Sequence, residues 1–433
     1  MTSTASPTSA LAPVASCSNA HLRLTLENID SACSACGICV QECAYLQRYG
    51  NPQEQARGYD PEDPELLVRP FACNLCGLCT AVCPDGIDPA AMFLQLRRAG
   101  FLRGLSALPE HRGLRRFERI GSSKLFSWYA LPQGCDTIFF PGCALAGSRA
   151  ETTWKTFEQL RQQLPAVGIV LDCCTKPSHD LGDQVHFLNM FNDMKNYLIE
   201  HGVKNVLVAC PNCAQVFRDY ATELTTRTVY EVLKGIPLPH APNRQTALTV
   251  HDPCVSRYDV AAQLAVRKLL RGRGFRIEEM THSGTQTLCC GKGGGSGCLA
   301  EGSGEGWVER RLAEAHGRPI VSYCAACCNS YASRTVSSHV LDLLFAPHAA
   351  LPPAQRITRG PLSYLARLRL KRRIQQQVCA AASRERVGIQ AGIQSERTPA
   401  RRGTRAGRLL GLLVALVPGL RGGRNRGDVQ PQQ

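Results

Sequence analysis

The chain has 433 residues, of which 44% are apolar and 23 are cysteines. This composition supports a packed core, and the length predicts two or three domains. The net charge of +15 does not indicate nucleic-acid binding by the whole chain, because residues 356–433 hold 17 Lys and Arg but only Glu385, Glu396 and Asp428. In a reducing compartment, so many closely spaced cysteines favour metal binding over disulfides.

The first 27 residues are rich in Ala, Ser, Thr and Pro. They lack the basic segment and the unbroken apolar segment of a secretory signal, so we predict a cytoplasmic protein. The same composition predicts a disordered tail over residues 1–27.

Two copies of the pattern C-x2-C-x2-C-x3-C follow, in "CSACGICVQEC" and "CNLCGLCTAVC". This spacing is typical of two 4Fe-4S clusters, each of which takes its fourth ligand from the other run. Zinc is disfavoured because its four ligands usually come as C-x2-C pairs. We predict one cluster on Cys33, Cys36, Cys39 and Cys83, and a second on Cys73, Cys76, Cys79 and Cys43.

The two runs are separated by more residues than in compact ferredoxins, and their flanks have helical periodicity. We therefore predict an α-helical dicluster ferredoxin domain over residues 28–98. It resembles the domains of succinate dehydrogenase iron–sulfur subunits. A basic, Gly-containing linker is predicted over residues 99–134.

Short β runs alternate with longer helical segments from residue 135 to about residue 350, which predicts an α/β architecture. The β runs are "TIFFPG", "GIVLD", "NVLVAC", "ALTVHDPC" and "PIVSYC". A cysteine directly follows each of these five predicted strands, in "FFPGC", "LDC", "LVAC", "HDPC" and "VSYC". The ends of strands in α/β folds gather side chains into a site.

This unit repeats internally. One series comprises Cys143, Cys173, Cys174, Cys210 and Cys213, and a second comprises Cys254, Cys289, Cys290, Cys324 and Cys327. Corresponding members lie 111 to 116 residues apart. Such a near-constant separation predicts two similar halves, over residues 135–245 and 246–350.

The second constellation resembles the cysteine-rich (CCG) domain family. The matching segments are "FFPGC", "CCTKPSHDLGD", "ACPNC", "HDPC", "CCGKGGG" and "YCAAC". The family includes catalytic subunits of heterodisulfide reductases and iron–sulfur subunits of anaerobic glycerol-3-phosphate dehydrogenase and glycolate oxidase. With the two ferredoxin runs, the order of parts is that of the D-type subunit of heterodisulfide reductase. One departure is Thr175, which stands where the family usually has the Gly of CCG.

The resemblance implies one or two further clusters in the cysteine-rich halves, which are noncubane 4Fe-4S clusters where a disulfide is cleaved. A 2Fe-2S cluster or zinc is the alternative at each. The predicted catalytic set is Cys254, Cys289, Cys290, Cys324 and Cys327 with His251. His251 is interpreted as a hydrogen-bond donor beside the ligands, or as a proton donor to a leaving thiolate.

The last predicted segment, residues 351–433, is a basic tail. A basic amphipathic helix is predicted over residues 361–376. The apolar run at residues 409–420 is twelve residues long, shorter than the roughly 20 residues that cross a bilayer. It predicts either peripheral attachment to the inner face of the cell membrane, with arginines meeting anionic lipid, or a disordered basic tail.

These patterns predict an iron–sulfur oxidoreductase subunit of anaerobic metabolism with a redox partner protein and no nucleic-acid partner. The partner is a flavoprotein or a membrane quinone-reactive subunit. In one hypothesis the chain reduces a disulfide. In the alternative it transfers electrons from a separate flavin dehydrogenase to a quinone pool. A zinc-stabilised scaffold is a third.

Overall fold

A computed structural model describes residues 8–105, 108–236, 246–299, 304–345 and 357–386 of the chain. The helices of the N-terminal part are α1 (Thr8–Ala32), α2 (Ile38–Glu42), α3 (Ala44–Tyr49), α4 (Pro52–Arg57), α5 (Pro64–Val68), α6 (Leu78–Ala81) and α7 (Pro89–Gly100). No strand lies in this part of the described chain.

Helix α1 occupies most of the segment for which the composition predicts a disordered tail. Its side chains Leu22, Leu26 and Ile29 recur at helical spacing, and Leu22 and Ile29 are buried against the dicluster core. The helix packs on α4 and α7. Burial of this apolar stripe stabilises a helix that composition alone does not reveal.

Where the structure describes it, the central part adds ten α-helices: α8 (Arg112–Gly121), α9 (Cys143–Ser148), α10 (Ala150–Gln163), α11 (Lys176–Asp180), α12 (Gln184–Glu200), α13 (Pro211–Tyr220), α14 (Val229–Leu233), α15 (Val260–Gly272), α16 (Gly304–Ala315) and α17 (Ala325–Tyr331). Two more follow within the described residues, α18 (Val340–Phe345) and α19 (Pro361–Gln377).

The strands are β1 (Trp128–Leu131), β2 (Thr137–Phe140), β3 (Gly168–Leu171), β4 (Asn205–Val208), β5 (Thr225–Thr228), β6 (Ala247–His251), β7 (Arg276–Ile277), β8 (Ile320–Ser322), β9 (Ser337–His339) and β10 (Ala382–Arg384). They form two sheets, in the orders β10-β1-β3-β2-β4-β5 and β7-β6-β8-β9.

The two sheets share one topology. In each, the first parallel strand of the half lies between the second and the third, and the fourth is at the edge. The strands β3, β2, β4 and β5 are parallel, as are all four strands of the second sheet. Residues of both sheets, such as Phe139 and Val321, belong to one apolar core. The halves are therefore duplicated in structure as well as in cysteine spacing.

The segment predicted as a linker is built into the first half. Strand β1 pairs antiparallel with β3, where Tyr129 opposes Val170, and helix α8 precedes it. Tyr129, Ala130 and Leu131 are buried. The apolar run "WYAL" supplies this strand, and its burial attaches the segment to the sheet.

The start of the predicted basic tail is also part of the fold. Helix α19 covers the residues of the predicted helix but buries Arg367 and Lys371 and exposes Leu362, so it has no clean apolar face. Strand β10 extends the first sheet by pairing with β1. Among the described residues, none of the helices combines the length and the apolar character that crossing a membrane requires. The apolar run at residues 409–420 lies outside the described residues.

Candidate metal-binding cysteine sites

The two short cysteine runs adopt the same backbone turn. Gly37 and Gly77 have φ of 78° and 69°. Two residues before them, Ala35 and Leu75 also have positive φ, of 53° and 50°. Alternating left-handed residues turn successive N–H groups toward one centre, a geometry that binds anions. In the second copy, the Leu75 N–H lies 3.4 Å from the Cys73 Sγ atom. Both turns can wrap tightly around a negatively charged sulfur cluster.

The fourth cysteine of each run lies with the other run. One cavity is lined by Cys33, Cys36, Cys39 and Cys83. The other is lined by Cys43, Cys73, Cys76 and Cys79. The structure therefore brings together the two sets that the sequence predicts.

The thiols of these cavities repel one another as anions. Burial, together with the nearby Cys33, Cys36 and Cys83, raises the pKa of Cys39 to about 11. Burial also raises the pKa of Cys73 to about 12, with the Arg97 charge opposing it. The described cysteines form no disulfide. Buried thiols such as Cys39 and Cys73, whose pKa values are raised, ionise readily only beside positive charge, and a cationic metal core would supply that charge.

Six of the ten cysteines of the two halves lie just beyond the carboxyl ends of parallel strands, and Cys213 and Cys327 lie in the helices that follow Cys210 and Cys324. In the first half, Cys143 follows β2, the pair Cys173-Cys174 follows β3, and Cys210 follows β4. The Sγ atoms of Cys143 and Cys173 are 3.8 Å apart, and those of Cys174 and Cys213 are 3.4 Å apart. Both distances exceed the roughly 2.05 Å of a disulfide, so these thiols are gathered but not bonded.

The second half repeats this gathering. A hydrogen bond with Cys254 raises the pKa of Cys289, and one with Cys289 lowers the pKa of Cys290. Ligand atoms of His251, Cys290 and Cys327 all lie within 4.8 Å of one another. His251 is fully buried, and one of its ring nitrogens is 3.2 Å from the Tyr331 hydroxyl. Burial lowers the pKa of His251, so the ring is neutral at pH 7.

A cavity of about 200 Å³ lies between the halves. Nine cysteines line it: Cys143, Cys173, Cys174, Cys210 and Cys213 of the first half, and Cys254, Cys290, Cys324 and Cys327 of the second. Across the cavity, the Cys210 and Cys324 thiols share a hydrogen bond, which lowers the pKa of Cys324 to about 5. The two series therefore face one common space.

The basic residues near the two cysteine pairs are Lys176, His179 and Lys292. The Lys176 ammonium pairs with Asp180, and His179 contacts Asp180 and the Tyr220 hydroxyl at 2.8 and 2.9 Å. Lys292 is exposed at the rim.

The first series has Thr175 where the second has Gly291. Both residues have left-handed backbones, with φ of 53° and 78°. Thr175 is fully buried, and its hydroxyl has no hydrogen-bond partner among the described residues. The turn of the first half therefore has room for the Thr175 side chain. At Gly291 a Cβ atom would lie 2.4 Å from the Gly304 oxygen.

The sequence does not reveal how the ferredoxin cysteines meet the two halves. The Cys76 thiol is hydrogen-bonded to Cys289, which lowers the pKa of Cys76 to about 7. Trp307 of the second half lines the cavity of the second ferredoxin set, where its Nε1 donates to Asn74 at 3.1 Å. Arg257 donates to the carbonyls of Cys76 and Thr287 at 3.1 and 2.9 Å. No periodicity or spacing in the sequence signals these contacts.

Comparison with known proteins agrees with this geometry. The 4Fe-4S dicluster domain family matches residues 32–88, and the cysteine-rich domain family matches residues 137–218 and 248–330. The D-type subunit of the dihydromethanophenazine:CoB–CoM heterodisulfide reductase of Methanosarcina barkeri is 24% identical over 361 residues, 68% of this chain and 87% of the relative. The Methanosarcina mazei protein of the same name is 24% identical over 70% of this chain and 88% of its own length.

A shorter similarity concerns a probable membrane-anchored ferredoxin of Chromohalobacter salexigens. It is 27% identical over 130 residues, which is 27% of this chain and 19% of that protein. The dicluster domain supports two 4Fe-4S clusters, and the cysteine-rich domains indicate additional iron–sulfur sites.

Proposed function

Because this chain is an iron–sulfur protein like the D-type subunit of heterodisulfide reductase, we propose that it passes electrons between a redox partner and the cavity between its halves. There it reduces a disulfide. The observation that carries this proposal is that the cysteine sets adjoin one another, from the first ferredoxin set through the second ferredoxin set and the second half to the first half. Burial and the nearby thiols, Cys39 of the other run among them, raise the pKa of Cys79; Cys76 contacts Cys289, and Cys210 contacts Cys324.

The proposed ligands of one 4Fe-4S cluster are Cys33, Cys36, Cys39 and Cys83, and those of the other are Cys43, Cys73, Cys76 and Cys79. Each series of five cysteines in the halves holds a further iron–sulfur cluster. When bound, such clusters supply one-electron carriers whose potentials depend on nearby charge and hydrogen bonds. The chain's own part is to hold the thiolates, exclude water and keep the sets in contact.

The reaction in the cavity is balanced by two electrons and two protons. The S–S bond of the substrate breaks, two S–H bonds form, and the redox partner protein is oxidised by two electrons. We propose that His251 orients Cys290 through their hydrogen bond, with the Tyr331 hydroxyl also in contact with the ring nitrogens. Proton donation by His251 stays a prediction.

Anaerobic purification of the full chain tests the proposal. We expect more iron and sulfide than two 4Fe-4S clusters contain, and electron paramagnetic resonance (EPR) signals beyond those of two reduced cubanes. A reduced low-potential dye as donor should then support turnover of a small disulfide. Clusters that are reduced by the dye but reduce no disulfide would favour the alternative, electron transfer between a flavin dehydrogenase and a quinone pool. Iron equal to the two cubanes alone would contradict a cluster in either half.

A further inference from the structure

Residues 357–386, here called the C-terminal strap, comprise helix α19 and strand β10 and lie against the first half. Strand β10 pairs antiparallel with β1, and α19 packs on α9, the helix that begins at Cys143. The Lys371 ammonium is held by the Lys124 carbonyl at 2.9 Å and by Glu385 at 2.7 Å. The strap is therefore fixed at both of its elements beside the first cysteine series.

The end of the strap reaches the Cys173 backbone through one buried carboxylate. Arg386 is 1% exposed, and its Nε donates to Asp172 at 2.9 Å. The other oxygen of Asp172 accepts the Cys173 N–H at 2.7 Å. Since Tyr129 also donates to Asp172, the carboxylate is fully directed by its partners. Arg386 thus orients the residue that fixes the backbone of a proposed ligand.

The helix of the strap brings a second arginine to the same site. Arg367 is 3% exposed and donates to the Gly121 carbonyl at 2.7 Å. A Cβ atom at Gly121 would lie 3.1 Å from the Arg367 guanidinium and 3.9 Å from the Cys143 Cβ atom. A side chain at residue 121 would crowd the guanidinium. The Arg367 guanidinium and the Cys143 Cβ atom thus both lie within 4 Å of one position beside Gly121.

We propose that the C-terminal strap completes the first cysteine site, with Arg386 as a positioning residue and Arg367 as a fixed charge that stabilises the reduced form of the group bound there. This rests on the proposed function of the first series as an iron–sulfur site. A nearby cation favours the more negative, reduced state of a cluster and so raises its reduction potential. The second series receives no residue of the strap among the described contacts, so the strap distinguishes the two halves.

The test is an EPR-monitored redox titration of the anaerobically purified full chain, with Cys143→Ser used to identify the signal of the first site. Arg367→Gln should shift the midpoint of that signal to lower potential and leave the dicluster signals in place. Arg367→Lys should keep the wild-type midpoint. The matched control is Arg373→Gln on the same helix, where the arginine pairs with Glu151 at 2.9 Å and covers Trp154.

Arg386→Gln should reduce the iron bound by the first site while the dicluster iron is retained. If Arg386→Gln yields no folded protein, the Arg367 series still decides the proposal. Equal midpoints for wild type and Arg367→Gln, or equal shifts for Arg367→Gln and Arg373→Gln, overturn the role of the strap alone. If Cys143→Ser removes no signal and no iron, the first series holds no cluster, which contradicts the proposed function at that site and overturns this inference with it.

Discussion

Two adjacent cysteines of α17 have different environments. Cys327 lines the cavity between the halves, and its ligand atom lies within 4.8 Å of those of Cys290 and His251. The Cys328 Sγ atom instead faces the carbonyls of Ser322 and Ser338, at 3.6 and 3.4 Å. Burial raises the pKa of Cys328 to about 12. Successive residues of a helix point about 100° apart, which separates a proposed ligand from a structural thiol.

This pair supplies a matched test of the second cysteine series. Cys327→Ser should remove the iron and the disulfide-reducing activity assigned to the second half, because a proposed thiolate ligand is lost. Cys328→Ser should retain both, since a serine hydroxyl can donate to either of the same two carbonyls. Iron and sulfide analysis of both anaerobic proteins is the measurement. Equal iron content in the two variants would show that Cys327 is not a ligand.

Gly142 allows a second test at single-residue scale. Its φ is 78°, and a Cβ atom there would lie 2.9 Å from the Cys210 Cβ and 3.2 Å from the Cys213 Sγ atom. Gly142→Ala should therefore displace the first series and lower its iron content. Gly134→Ala is the control, because φ is 70° there and no atom lies within 4 Å of the added Cβ. Both substitutions carry the strain of a left-handed alanine, about 1–2 kcal/mol, so a specific loss of iron from Gly142→Ala reports the contact.

At the scale of elements, the sequence predicts those helices and strands whose apolar residues recur with a local period. The five β runs named from the sequence correspond to β2, β3, β4, β6 and β8, and the longer helical segments predicted between them include α10 and α15. The polar strands β5 ("TTRT"), β9 ("SSH") and β10 ("ASR") offer no apolar run to a pattern search, and β7 has only two residues. Strand β10, "ASR", has no β-forming residue at all and exists because β1 presents an edge to it.

Helix α1 is also missed by sequence patterns. The packing of Leu22, Leu26 and Ile29 on the dicluster core stabilises this helix, although the composition of the segment predicts disorder. Ile29 is fully buried against the dicluster core, whereas Leu24 on the same helix is 59% exposed. Ile29→Ala should lower the free energy of unfolding by about 2–5 kcal/mol, as is usual for a buried isoleucine. Leu24→Ala should change it by about 0.5 kcal/mol or less. The midpoint temperature at which iron–sulfur absorbance is lost measures both, and equal midpoints would contradict the packing of α1.

At the scale of the whole molecule, the spacing of cysteines predicts which thiols form a set but not how the sets meet. The contacts Cys76–Cys289 and Cys210–Cys324 join parts of the chain more than 100 residues apart. They depend on close backbone approach between units. A Cβ atom at Gly293 would lie 2.3 Å from the Asn74 oxygen. Such contacts are specified by tertiary packing, for which a single sequence carries no local signal.

Arg97 is the side chain that joins all three units. It is fully buried in the last turn of α7, and its guanidinium donates to five carbonyls: those of Pro70, Phe71 and Cys73 in the dicluster unit, Asp180 in the first half and Gly294 in the second. The planar fork of arginine suits this set, and the three donors of a lysine ammonium cannot satisfy it.

Arg97→Lys should therefore loosen the dicluster unit from the two halves. Each buried carbonyl left without a donor costs about 1–3 kcal/mol, and hydrogen exchange should rise in peptides covering residues 70–75, 178–183 and 292–296. Arg98→Lys is the control, because the Arg98 guanidinium reaches His179 and the Tyr220 hydroxyl, at 3.4 and 3.3 Å, and none of these carbonyls. The positive charge is kept in both variants, which leaves hydrogen-bond geometry as the difference. Equal exchange in the three peptides for both variants would show that the units are held together by their apolar contacts, without Arg97.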